Sequence, residues 1–107
     1  MTDSIVILST CESAEEGERI ARALLADRLA ACVNVLPGVR SFYRWKGRVE
    51  DSAECLLVIK SSRPLFGALR AAIEKAHSYE VPEVIALPIV DGAPNYLNWI
   101  HESLQPE

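Results

Sequence analysis

Ala31-Cys32-Val33-Asn34-Val35-Leu36 reads as a strand that Pro37-Gly38 interrupts and Val39 to Trp45 resumes. Proline gives up a ladder donor and glycine tolerates unusual backbone angles, so Pro37-Gly38 suits a bend or bulge better than a chain end. Beyond it stand Phe42, Tyr43 and Trp45, then the turn signal Lys46-Gly47-Arg48. A second strand follows from Ala53 to Lys60, with Cys55-Leu56-Leu57-Val58-Ile59 as its apolar body. The two runs form a long antiparallel hairpin with a bent, extended first arm. One small subunit has too little surface to shelter such a hairpin, so neighbouring copies are expected to cover it.

Upstream, Ile5 to Leu8 is a continuous β-rich run, expected as a buried strand. Ser13-Ala14-Glu15-Glu16 then forms a capping box, in which the Ser13 hydroxyl accepts from the Glu16 amide and the Glu16 carboxylate reaches back to the Ser13 amide. Gly17, Ile20, Ala21, Leu24 and Arg28 keep helical spacing, which predicts a helix over 14–28. Downstream, Ser61 or Ser62 is the expected cap and Pro64 the first-turn proline of a second helix. Its apolar face is Phe66, Leu69, Ile73 and Ala76. His77 to Glu83 is a polar loop, Val84 to Ile89 a last strand with Pro88 favouring an edge, and Pro94 to Leu104 a closing helix. The order β-α-β-β-α-β plus a terminal helix predicts an α+β, ferredoxin-like domain: one antiparallel sheet with both helices on one face. No linker or repeat interrupts residues 1–107, which read as a single domain.

Half of the 107 residues are apolar and 24% are charged, an ordinary globular balance. The net charge of −4 comes without any run of Lys or Arg, which argues against binding a nucleic-acid backbone. The start, Met1-Thr2-Asp3-Ser4, lacks the basic region of a signal peptide, and no apolar stretch nears the ~20 residues that span a bilayer. A cytoplasmic protein with no membrane partner is therefore expected. Cys11, Cys32 and Cys55 are odd in number, and no C-x-x-C occurs, so neither a disulfide framework nor structural zinc is expected.

Leu29-Ala30-Ala31-Cys32-Val33-Asn34, Pro37-Gly38 and Tyr43-Arg44-Trp45-Lys46-Gly47 resemble the central signature of the CutA family of divalent-cation tolerance proteins. Ile59-Lys60, His77-Ser78-Tyr79-Glu80-Val81-Pro82-Glu83, Leu87-Pro88 and Asn95-Tyr96-Leu97-Asn98-Trp99 resemble its second half, in family order. The resemblance implies a tight homotrimer with interlocking hairpins, an architecture similar to the nitrogen-regulatory PII proteins, and a role in tolerance to copper and other divalent metals. Copper-binding members of the family carry a cysteine near the end of strand one and paired histidines before the Tyr-containing loop. The matching positions here are Ser9 and Ala76-His77, so only His77 carries over.

Among candidate ligands, His77 is foremost, since a neutral imidazole binds Cu or Zn. The ordinary alternative is a histidine closing the second helix, favoured there by the helix dipole. Cys32 offers a soft thiolate for Cu(I), set against its role as a small buried hydrophobe. No obligatory cofactor is implied; Cu or another divalent ion is the candidate. Cys11, before the first helix, is expected exposed with a dipole-lowered pKa, and Cys55 buried. Lys60, Tyr43, Trp45, Glu80 and Glu83 form a second constellation, with Glu80 or Glu83 as the expected partner of the Lys60 ammonium. Together they line either a ligand cleft between subunits or a plain subunit interface. Tyr96 and Trp99 are expected to pack, Glu15 and Glu16 to act as helix-start charges, and Glu50, Asp51 and Glu54 to blunt the hairpin edge, with attraction of a hard cation as the alternative. Nucleophile, base and orienter do not emerge with a recognisable spacing, so the chain reads as a non-enzyme; Lys60 with a carboxylate is the only acid–base pairing the sequence offers.

Overall fold

Alternating burial along the first strand sets the architecture. In β1 (Ser4–Cys11), Ile5, Ile7, Ser9 and Cys11 are buried while Val6, Leu8 and Thr10 are half-exposed, as period-two side chains on a one-sided sheet must be. The computed structural model describes residues 2–106. After β1 come α1 (Ala14–Ala26), β2 (Cys32–Trp45) and β3 (Arg48–Ser62). A 3₁₀ turn over Arg63–Leu65 leads into α2 (Phe66–Ala76), followed by β4 (Ile85–Pro88) and α3 (Pro94–Ser103). The sheet order is β2-β3-β1-β4 with every pairing antiparallel. This is the ferredoxin-like α+β arrangement, with a third helix added at its end.

Ile5, Ile7, Leu57 and Ile59 pack beneath Ile20 and Leu24 of α1 and Leu69 and Ile73 of α2, and Ile100 and Leu104 of α3 close one end of the same core. Both helices of the βαβ halves therefore cover one face. The opposite face is set by the ladder partners Val6–Lys60, Leu8–Val58, Thr10–Leu56 and Cys32–Lys60, with Ile85 and Leu87 on the edge strand. Ile85 is 50% and Leu87 46% exposed there.

Several element bounds differ from the sequence expectation. β3 begins at Arg48 rather than Ala53, because the polar segment Arg48–Glu54 pairs with β2 all the way to the turn. That ladder needs hydrogen-bonding backbone, not apolar side chains. Lys46 and Gly47, both at positive φ (49° and 78°), make the two-residue turn whose twist matches the strands. Pro37-Gly38 is the bulge: Leu36 pairs with Leu56 and Val39 with Glu54, so two residues oppose Cys55 alone. α1 stops at Ala26, where Arg28 adopts φ 55° and ends the helix. The second helix starts as a 3₁₀ turn containing Pro64, with Ser62 at the N-cap position as one of the two expected residues. Ser62 makes no side-chain cap bond there, and the Ser61 hydroxyl donates to the Leu29 carbonyl at 2.6 Å. β4 is shorter than 84–89, and α3 ends at Ser103.

The hairpin projects from this body. The molecule measures 43 × 26 × 23 Å with a radius of gyration of 14.3 Å, against about 13 Å for a compact chain of this length.

Candidate functional site

A cleft of about 660 Å³ opens where the hairpin leans over the loop that follows α2. Tyr43 and Trp45 of β2 face it from one side, Tyr79, Glu80 and Glu83 from the other, and Glu54 and Thr10 form its floor. Tyr43 and Trp45 are two residues apart on one strand face, which is why both reach the cleft. Four of the five constellation residues thus come together.

Lys60 does not join them. It lies six residues along β3 from Glu54, roughly 20 Å at the usual strand rise. Its ammonium bonds Asn34 Oδ1 instead of Glu80 or Glu83 and stands 3.9 Å from Cys32 Sγ. Cross-strand pairing puts Cys32 and Lys60 directly opposite, so the neighbour, not the distant loop, becomes the partner. The acid–base pair an enzyme reading would need is split between the two ends of the sheet.

The loop itself is held by backbone bonds. Tyr79 N–H donates to His77 Nδ1 at 3.0 Å, which requires that nitrogen to be unprotonated. Nε2 therefore carries the proton and donates to the Thr10 carbonyl at 2.7 Å. His77 is half-buried and its ring lies 4.7 Å from the Tyr79 ring. Ser78 N–H donates to Glu16 Oε2 at 2.9 Å, and Glu12 N–H to Glu16 Oε1 at 3.3 Å. Glu16 is only 6% exposed, with the Arg19 guanidinium 3.6 Å away. Burial alone would raise its pKa; the Ser78 and Glu12 donors outweigh it and hold the carboxyl below its ordinary value. Glu16 is thus more than a helix-start charge, and its carboxylate serves Glu12 and Ser78 rather than the Ser13 amide. The other half of the capping box forms as expected, the Glu16 amide donating to Ser13 Oγ at 3.1 Å.

Tyr79 donates its hydroxyl to Glu54 at 2.6 Å, which closes the floor. Burial, then Glu54, pushes the Tyr79 phenol above the ordinary tyrosine range. Neither Glu54 nor Tyr79 was singled out from sequence for this role. The only signal was Glu54's odd place beside the apolar run of β3.

The metal candidates fare differently. Both ring nitrogens of His77 already have backbone partners, and Cys32 faces an ammonium. Among the described residues no three His, Cys, Asp or Glu side chains converge as a metal-holding group. As arranged, these side chains do not fit a preformed metal centre. Cys11 is fully buried rather than exposed, and burial, then Cys55 and Glu16, pushes its thiol up to about 12. Tyr96 and Trp99 pack on each other with ring centroids 5.5 Å apart, each a little under half exposed. Burial, then Cys32, raises the Tyr96 phenol.

Fold, hairpin and the apolar residues exposed on one sheet face define a small α+β domain of the ferredoxin-like class. The family model described as CutA1 divalent ion tolerance protein matches residues 5–103, and the chain belongs to that family. It is 45% identical over 98 residues to the divalent-cation tolerance protein CutA of Thermus thermophilus, covering 92% of this chain and 95% of that protein. Against the same-named protein of Pectobacterium atrosepticum it is 40% identical, covering 98% and 96%. The chain spans only about half the length of the rice chloroplastic and mouse CutA relatives, 56% and 52%. Among solved structures, the Thermus thermophilus protein superposes with a TM-score of 0.93 at 43% identity, covering 95% of this chain and 99% of that one. Rice CutA1 gives 0.94 at 44% identity, covering 97% and 95%.

Proposed function

We propose that this chain serves divalent-cation tolerance as a cytoplasmic homotrimer of PII-like architecture, whose inter-subunit clefts take a small ligand or a partner protein. The observation that carries this reading is the sheet face opposite the helices. Val6, Leu8, Leu56, Val58, Ile85 and Leu87 form it, on the side of the sheet away from α1 and α2. Apolar area of this extent on a small subunit favours association. The hairpin tip carries Arg44, Lys46 and Arg48, while the cleft carries Glu54, Glu80 and Glu83, so tip and cleft have opposite charge.

The test is Leu87→Asp against the parent protein in sedimentation velocity. A charge on the buried face of an assembly dissociates it, so the variant should sediment as single chains with an unchanged far-UV spectrum. A variant that stays fully assembled overturns this face as the interface. For the cleft, native mass spectrometry of protein taken from cells should show a bound small molecule that Trp45→Ala loses. If Trp45→Ala lowers assembly stability while no molecule accompanies the parent protein, the cleft is interface only.

A second reading is weak binding of Cu²⁺ or another divalent ion at His77, with Cys32, four ladder positions away along β3, as a separate soft ligand. In its favour, Nδ1 of His77 is unprotonated, the form a borderline metal takes. Coordination there requires the ring to release Tyr79 N–H. Calorimetry with Cu²⁺ should then show weaker heats for His77→Ala; identical titrations remove His77 from the account.

A further inference from the structure

Cys11 and Cys55 stand directly opposite each other in the β1–β3 ladder, 44 residues apart in sequence. Both point to the helix side and are 0% and 1% exposed. They belong neither to the cleft nor to the uncovered sheet face. Opposed residues of an antiparallel pair have Cα atoms about 4.5–5.5 Å apart, inside the span of about 4.4–6.8 Å that a disulfide bridges. The sulfurs share one small space: a Cβ placed on Gly17 would stand 3.3 Å from Cys11 Sγ and 3.4 Å from Cys55 Sγ. Leu57 Cδ2 lies 3.1 Å from the same point, so α1 seats tightly on both thiols only because residue 17 is glycine. That fit suits two sulfurs drawing together, and a mixed disulfide with glutathione forms there only while the strand end is open.

We propose that Cys11 and Cys55 are an oxidation site, which a disulfide oxidant such as oxidised glutathione converts to an intramolecular bond stapling β1 to β3 beneath α1. One thiolate attacks the glutathione disulfide and releases one glutathione thiolate. The second cysteine, as thiolate, then attacks the mixed disulfide and releases the other. Two S–H bonds are lost, one S–S bond forms, and the two electrons leave as two reduced glutathiones. Both thiols are buried, so the reduced pair persists until the strand end opens, and the raised pKa of Cys11 slows its own attack at neutral pH. Opposed Cβ atoms lie about 4.5–5.5 Å apart, farther than the about 3.5–4.5 Å of a relaxed disulfide, so the closed bond is readily reduced. Thr10 and Glu54, which hold His77 and Tyr79, adjoin the two cysteines in sequence. The staple therefore fixes the floor of the cleft.

The experiment incubates the reduced full chain with oxidised glutathione at pH 8.5. N-ethylmaleimide is then added in denaturant, and intact mass and linked peptides are measured. Alkylatable thiols should fall from three to one, leaving Cys32, with a Cys11–Cys55 peptide pair recovered. Dithiothreitol should restore three, and the oxidised protein should melt at a higher temperature. Three thiols after incubation, glutathione adducts without the 11–55 pair, or links through Cys32 alone overturn the proposal. Cys55→Ala should keep two alkylatable thiols and show no gain in melting temperature; the parent measurement stands even if that variant folds poorly.

Discussion

Glu16 shows how much one side chain settles. Its carboxylate joins the start of α1 to the loop after α2, through the N–H groups of Glu12 and Ser78. Glu16→Gln places an amide against two donors, and should cost about 1–3 kcal/mol, as for hydrogen bonds to a charged group. Because the folded carboxyl titrates below 4.5, its contribution is present above that pH and lost as the pH falls through the lower, folded value. Melting temperatures of parent and Glu16→Gln should therefore converge on acidification below about pH 4.5; a constant gap would contradict the assignment. Ser9 is the converse case. Its hydroxyl is fully buried and has no hydrogen-bond partner among the described residues. Ser9→Ala should leave stability unchanged or raise it by about 1 kcal/mol, since an unpaired buried hydroxyl carries a desolvation penalty. A drop in melting temperature would show that the hydroxyl has a partner. The capping box made Glu16 legible as a helix start, but its second duty lay 62 residues away in a loop, beyond the reach of local spacing. The same limit applies to the Tyr79–Glu54 bond.

Among the elements, the hairpin was the most legible part. Alternation, Pro37-Gly38 and Lys46-Gly47 announced two arms, a bulge and a turn, and all are present. The polar half of β3 was not legible, because Arg48–Glu54 pairs through its backbone while its side chains are mostly exposed. Gly47 sits at φ 78°, where an L side chain costs about 1–2 kcal/mol. Gly47→Val should therefore raise hydrogen exchange at the amides of 44–50 by roughly tenfold while core strand amides hold. Unchanged exchange at the tip would mean that the turn tolerates a side chain. Lys60 marks where element-level reading went astray. A charge at the end of an apolar strand suggested a loop carboxylate, whereas register gives it Asn34 across the ladder.

At the scale of the whole molecule, two observations converge: a sheet with α1 and α2 on one face and exposed Ile85 and Leu87 on the other, and a hairpin that extends the long axis to 43 Å. A single chain leaves Leu87, Ile85, Tyr43 and Trp45 in contact with water at once. Covering them with further copies would also wall the cleft from outside, and so tie the ligand reading to assembly. The direct measurement is light scattering coupled to size exclusion at micromolar concentration. The account predicts one species at three times the 11.8 kDa chain mass. A folded, monodisperse species at 11.8 kDa would contradict it.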